Sequence, residues 1–314
     1  MKFIQNYLIF NYYSSFILKI NIYLFLKMSK YKNINAGSRR LRLKKFDIAS
    51  LAEHATIAMI AKRGSGKSWL VREIMYQKRK LPSVMIISPT EKLNCFYGDY
   101  LPDSFIYNKF DTDILKRLYS RQAKLNDDNI KRKKDSKRTK DDRVLLIMDD
   151  CMSSKGSWVK DESILELFFN GRHHHISFIL TMQYAVGIPP ELRSNFDYIF
   201  LLGEDFISNR KRLYEHYAGM FPSFDIFQRV FDECTENFGC MVINNKIHSK
   251  EIEEKVFWFK AKKTPTFFIG SKKFKKYHKK NYDSEWNKRL PIFDINTALT
   301  KRRNQLNLVV EKVR

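Results

Sequence analysis

Ala61-Lys-Arg-Gly-Ser-Gly-Lys-Ser68 is the stretch whose reading decides the fold. A buried-strand pattern, Thr56 to Ala61, runs into it, and a helical pattern from about Lys67 to Gln77 leaves it. Small residues between a strand and a helix let main-chain N–H groups turn inward around a phosphate. Gly64 and Gly66 supply the permissive backbone, and the helix N-terminus adds its positive end. Lys67 is placed to reach β- and γ-phosphates, and the Ser68 hydroxyl to ligate Mg²⁺. Ala61 stands where the usual pattern has its first glycine, at a strand end where a methyl group fits. An ordinary glycine turn would not need both flanking elements. The stretch therefore predicts ATP held by Arg63, Gly64, Ser65, Gly66, Lys67, Ser68 and Trp69, with Mg²⁺ as its companion.

Outward from the loop, further short apolar runs bounded by turn residues read as strands: Val84–Ile87, Val144–Met148, Ile176–Met182, Tyr198–Leu202 and Cys240–Ile243. Helices are predicted at Thr112–Leu125, Ile164–Asn170, Ser208–Tyr217 and Phe224–Phe231. Strands alternating with helices predict a parallel sheet covered on both faces. Asp149 directly follows a buried strand and suits a second metal ligand, while Asp150 suits polarisation of an attacking water. Two carboxylates at a strand end are also common turn residues, so their pairing with the glycine loop carries the assignment. Gln183 ends the next strand, on the side where open α/β sheets bind ligands.

Composition sets the boundaries. The 314 residues are 44% hydrophobic, enough for one large α/β domain with modest extensions. Lys and Arg number 58 against 34 Asp and Glu, a net charge of +24. That excess fits a polyanionic partner, nucleic acid being the commonest, or else a solvated basic surface. Cys95, Cys151, Cys234 and Cys240 form no CxxC pair, which predicts free thiols in a reducing compartment.

Residues 1–35 read as an N-terminal leader. Asn11, Ser14, Ser15, Lys19 and Asn21 break its apolar run, so no stable membrane insertion is expected and translation is expected to begin at Met28. Residues 36–245 form the predicted ATPase domain, entered through the basic approach Ser38–Phe46. Within it, 126–143 holds almost no apolar residue and reads as a mobile surface insertion. Residues 246–314 carry 19 Lys or Arg against 7 Asp or Glu and read as a basic C-terminal extension. In that extension Lys272, Lys273, Lys275, Lys276, Lys279 and Lys280, interleaved with Phe274 and Tyr277, are the candidate DNA contacts. The run His173–His175 is read on a strand, where neighbours face opposite ways and cannot share one ion.

Five segments carry a family resemblance. Ile87-Ser-Pro-Thr90, Leu145-Leu-Ile-Met-Asp-Asp150, Phe169-Asn-Gly-Arg-His-His-His175, Thr181-Met-Gln-Tyr184 and Ile188-Pro-Pro-Glu-Leu-Arg-Ser-Asn195 occur in consistent order between Phe46 and Ile243. They resemble the DNA-packaging ATPases of nucleocytoplasmic large DNA viruses, part of the FtsK–HerA group of P-loop ATPases. The resemblance implies an α/β fold with a mostly parallel central sheet flanked by helices, of the additional-strand type. In it the strand ending at Gln183 lies between those ending at Ala61 and Asp149. It implies a homo-oligomeric ring that hydrolyses ATP to move double-stranded DNA into a capsid, with capsid or portal components as partners. The expected locations are the virion and the host-cell cytoplasm. Residue by residue, Asp149 resembles the magnesium residue, Asp150 the catalytic acid, Gln183 the sensor and Arg172 an arginine presented across a subunit interface, with Arg193 its rival. The family often has Glu where this chain has Asp150. A helicase of the same group and a non-catalytic basic DNA-binding virion protein are the alternative readings.

Overall fold

A computed structural model of the chain describes residues 41–151, 160–283 and 285. The leader 1–35 and the end of the basic extension from 286 onward lie outside the described residues. The chain divides into two units, residues 1–43 and 44–314, and every element described here belongs to the second.

The sheet is organised by strands that are apolar on both faces, as expected where helices cover both sides. β2 (Thr56–Ile60), β5 (Val144–Asp149), β6 (Ile176–Met182) and β7 (Tyr198–Leu202) are buried along nearly their whole length. With β1 (Lys44–Lys45), β3 (Ser83–Ile87), β4 (Ile106–Tyr107), β8 (Gly239–Asn244) and β9 (Val256–Lys260) they form one nine-stranded sheet, among the described residues. Its order is β1-β9-β8-β7-β2-β6-β5-β3-β4. All pairings are parallel except those of β8, which runs antiparallel to β7 and β9. β6 therefore lies between β2 and β5, as the resemblance implied. The helices are α1 (Lys67–Gln77), α2 (Glu91–Asn94), α3 (Thr112–Lys134), α4 (Glu162–Asn170), α5 (Pro190–Arg193), α6 (Ile207–Tyr217), α7 (Phe224–Thr235), α8 (Ile252–Lys255) and α9 (Lys272–Asn281). Ile57 and Met59 of β2 pack with Leu70 and Ile74 of α1 in the main core cluster, which fixes the loop between them.

Four expectations need correction. The segment 126–143 is not a mobile insertion: α3 continues to Lys134, and Asn129 and Asp142 are buried. Asn129 Nδ2 donates to Lys140 O at 3.0 Å, its Oδ1 accepts Lys140 N–H at 2.8 Å, and Gln122 Nε2 donates to Asp142 O at 2.9 Å. Side-chain amides replace apolar contacts there, so the composition misleads. The domain also continues past 245, because β9 completes the sheet beside β8 and brings β1 with it. The basic approach is thus partly sheet, with Phe46 buried against Phe200, Phe257 and Phe259. Finally, His173–His175 occupy a turn before β6 instead of a strand. His174 Nε2 pairs with Glu166 and His175 Nδ1 with Asp142, both at 2.9 Å, so the rings serve different partners.

All four cysteines are free, and Cys151, Cys234 and Cys240 are buried. No helix among the described residues is long and apolar enough to cross a membrane.

Candidate nucleotide site

The loop after β2 sits at the carboxyl end of the parallel strands, where the crossovers β2→β3 and β6→β7 leave on opposite sides. Ala61 N–H extends the β2–β6 ladder by donating to Met182 O at 2.9 Å. The chain then turns through Gly64 (φ 78°) and Gly66 (φ 98°), both left-handed, into α1. A β-carbon on Gly64 would meet no atom within 4 Å, so the main chain there lies open to the cleft. Ser65 Oγ instead turns back to Lys62 O at 2.8 Å and closes the loop from behind.

A cleft of about 710 Å³ opens over this loop. Arg63, Gly64, Gly66, Lys67, Ser68 and Trp69 line it from the loop and α1, and Asp149, Asp150 and Gln183 from β5 and β6. Lys67 Nζ lies 3.2 Å from Asp149 Oδ1 and is also paired with Asp150 Oδ2. Gln183 Nε2 donates to the same Asp150 Oδ2 at 3.1 Å. Asp150 is left-handed (φ 52°), a conformation Asp tolerates better than most residues, and this turns its carboxylate back over the strand end. Its Oδ1 is buried with no hydrogen-bond partner among the described residues. A buried, unpartnered carboxylate oxygen beside an open main-chain loop is what a water and a metal-bound triphosphate would satisfy. The residues present fit ATP with Mg²⁺.

Two groups that the sequence reading did not single out hold the carboxylates. The buried Thr181 hydroxyl donates to Asp149 Oδ1 and accepts Asp150 N–H at 3.1 Å. On the strand it reads as an ordinary β-former; its register opposite Asp149 was the available signal. Tyr97 is fully buried, and burial, reinforced by the charge of Asp149 and a hydrogen bond to it, holds its phenol well above the usual range. It stays protonated and can donate. The Glu91 carboxylate ties Tyr97 N–H and Gly98 N–H, both at 2.9 Å, so the segment carrying the phenol is fixed. Nothing in the local sequence marks position 97. Below the site, burial pushes the Cys151 thiol up to about 12, with Asp149 and Asp150 adding to the shift, and its Sγ rests 3.1 Å from Ile87 O.

The sequence matches the family model described as Poxvirus A32 protein over residues 43–207, more than half of the chain. The chain belongs to the Poxvirus A32 protein family. The chain is similar to a protein of Acanthamoeba polyphaga mimivirus, 45% identical over 79% of this chain and 86% of the other. A protein of Invertebrate iridescent virus 6 is 32% identical over 74% of this chain and 88% of its own. Among solved structures, the chain is similar to the genome packaging NTPase B204 of Sulfolobus turreted icosahedral virus 2 in complex with AMPPCP. That likeness has 15% identity and a TM-score of 0.44, covering 62% of this chain and 95% of the other.

Other predicted residues lie apart from the cleft. Arg172 precedes β6 at its amino end and borders a separate pocket with Thr56, Ser194 and Asp197. Seven strand residues, about 20 Å at the usual rise, separate that end from Gln183. Arg193, at the end of α5, faces the Tyr217 ring at 5.8 Å. Lys272, Lys273, Lys275, Lys276, Lys279 and Lys280 are exposed on α9. That helix is anchored by Phe274 stacked on Phe105 (3.7 Å) and by His278 Nδ1 against Ser104 Oγ (2.9 Å).

Proposed function

We propose that this member of the family is an ATP-hydrolysing motor that translocates double-stranded DNA into a viral capsid. It works as a homo-oligomeric ring docked on capsid or portal components, in the virion and the host-cell cytoplasm. The observation that supports the reading is the meeting of Lys67, Asp149, Asp150 and Gln183 behind an open glycine loop.

Charge balance shapes substrate entry. Lys67 is neutralised by two carboxylates, so a triphosphate alone would meet uncompensated negative charge there. A triphosphate entering with Mg²⁺ would meet less repulsion: the Lys67 ammonium would be free to turn to the phosphates, while Ser68 and Asp149 would hold the cation. Mg²⁺ supplies neutralisation of the β- and γ-phosphate oxygens. Asp150 orients the attacking water and takes its proton at Oδ1, and the Gln183 amide keeps the other oxygen, Oδ2, in place. Arg172 lies at the far end of β6 from its own loop, so a contact with a γ-phosphate would have to be with that of a neighbouring subunit. Such a group is worth about 10³ to 10⁵ in rate in other NTPases.

The test is ATP hydrolysis with and without duplex DNA for the full chain and for Lys67→Ala, Asp150→Asn and Arg172→Ala. Duplex DNA should accelerate the wild type, and each variant should lose turnover. Equimolar Lys67→Ala and Arg172→Ala subunits should recover part of it, because one class of mixed interface then has both groups intact. A wild type indifferent to DNA ends the translocase reading. Strand displacement on forked DNA would favour a helicase, and activity surviving Lys67→Ala a non-catalytic virion protein.

A further inference from the structure

The cleft extends beyond the phosphate loop, and its walls differ on the two sides of β2. The carboxylates come from the end of β5 on one side; Cys240 and Lys260 come from β8 and β9 on the other, with Phe238 just before β8 and Ala261 just after β9. Phe238 is unusual in three ways. The residue is 72% exposed although it borders a cleft, and its β-carbon lies 3.7 Å from the place a Gly66 β-carbon would occupy. Its backbone is left-handed (φ 63°), directly after a left-handed Asn237 (φ 52°).

The tight passage from α7 into β8 explains the left-handed turn: a β-carbon on Gly239 would come within 2.3 Å of Cys234 O. It does not explain a phenylalanine there. Glycine would relieve the backbone, and a polar side chain would relieve the exposure. A ring kept at a position costly for both reasons has a contact to make. Trp69, in the first turn of α1, borders the same cleft and is 48% exposed. The Arg72 guanidinium covers one face of it at 4.0 Å, which holds the indole in place and leaves its remaining surface toward the cleft.

We propose that Phe238 is the platform on which the base of the bound nucleotide stacks, with Trp69 as a second wall. The inference rests on the phosphate-loop reading above and adds the base to it. Stacking reads the π-face and its size, not the exocyclic groups. From the β8–β9 side the cleft is bordered by Phe238, Cys240, Lys260 and Ala261, so the stack is the main contact to the base there and the Lys260 ammonium is the side-chain donor that can reach a base edge. The site takes purine nucleotides over pyrimidine ones, because the larger π-face stacks better.

Binding to the full chain, measured by calorimetry with ATP, GTP, CTP and inorganic triphosphate in the presence of Mg²⁺, tests this. Phe238→Ala should weaken ATP about tenfold, the scale of one lost base stack, and leave triphosphate binding unchanged. Phe238→Tyr should keep wild-type ATP affinity. Phe238→Gly should lose the same base affinity while raising the thermal midpoint, which separates the ring's task from any structural one. Equal loss of ATP and triphosphate in Phe238→Ala, or no loss of either, overturns the proposal. So does CTP binding as tightly as ATP. Failure of the underlying reading looks different: the wild type would bind neither ATP nor triphosphate, or Lys67→Ala would bind both normally.

Discussion

At the scale of single residues, the site depends on a hydroxyl with one proton and two carboxylates to place. Thr181 gives its proton to Asp149 and takes the Asp150 N–H, so one side chain sets the spacing of both acids. Thr181→Val keeps the shape and removes both bonds. It leaves a polar N–H without its partner, which costs about 1–3 kcal/mol of stability. The larger effect should be on turnover. Asp149 and Asp150 would drift relative to Lys67, and kcat for ATP should fall well beyond any rise in KM. Thr181→Ser should restore both. Urea melts alongside steady-state kinetics check this, and a Thr181→Val enzyme with wild-type kcat would show that the acids are placed without it. This residue also marks a limit of sequence reading. Lys67 and Asp149 announce themselves because their neighbours form a motif, whereas a buried Thr on a strand is chemically indistinguishable from packing until its cross-strand partner is known.

Among the elements, α3 shows how composition and fold part company. Its buried residues are Ile114, Leu115, Leu118, Gln122 and Asn129, and the seven-residue spacing 115, 122, 129 carries the inward stripe past the last buried apolar residue, Leu118. Charge density hid that stripe, because a helix is ordinarily traced by its apolar side chains. Here two amides take over and clasp the returning chain at Lys140, Asp142 and His174. β2, β5, β6 and β7 were legible because strands buried on both faces are continuous apolar runs bounded by turns. β1 has two residues and takes its strand character from the neighbour it pairs with, whereas β9 is a run of strong β-formers, Val-Phe-Trp-Phe, masked by the lysines around it. Asn129→Leu should therefore cost about 1–3 kcal/mol, the penalty for leaving the Lys140 main-chain groups unpaired, despite adding apolar surface. Hydrogen exchange should locate the damage: amides of 126–143 should exchange faster, and those of β2 and β6 should not. Amides of 126–143 that exchange as fast in the wild type as in the variant would return this segment to the solvated surface its composition describes.

For the whole molecule, the question is where a chain of net charge +24 meets a polyanion. α9 runs along the β4 edge of the sheet, its Ser271 N–H donating to Pro82 O at 2.8 Å and its Phe274 stacked on Phe105. The anchor faces inward and six lysines face water, so the helix presents a row of cations on the same unit that carries the candidate nucleotide site. A rigid attachment matters for a motor, because a flexible tail could bind DNA but could not transmit a displacement of the sheet. If α9 grips the duplex through phosphates, log affinity should fall linearly with log salt, by about 0.9 in slope for each phosphate neutralised. Replacing Lys272, Lys273, Lys275, Lys276, Lys279 and Lys280 together by Gln retains helix propensity and the Phe274 anchor. The slope should then drop by about 0.9 for each lysine that was in contact, up to about five for all six, and DNA-stimulated hydrolysis should fall with it. Phosphate contacts carry no sequence information, so the loss should be the same on AT-rich and GC-rich duplexes. A wild-type plot that is flat against salt would remove phosphate binding altogether. A steep plot that the six substitutions leave unchanged would move the grip elsewhere on the basic surface, and α9 would then be a structural brace on the sheet edge.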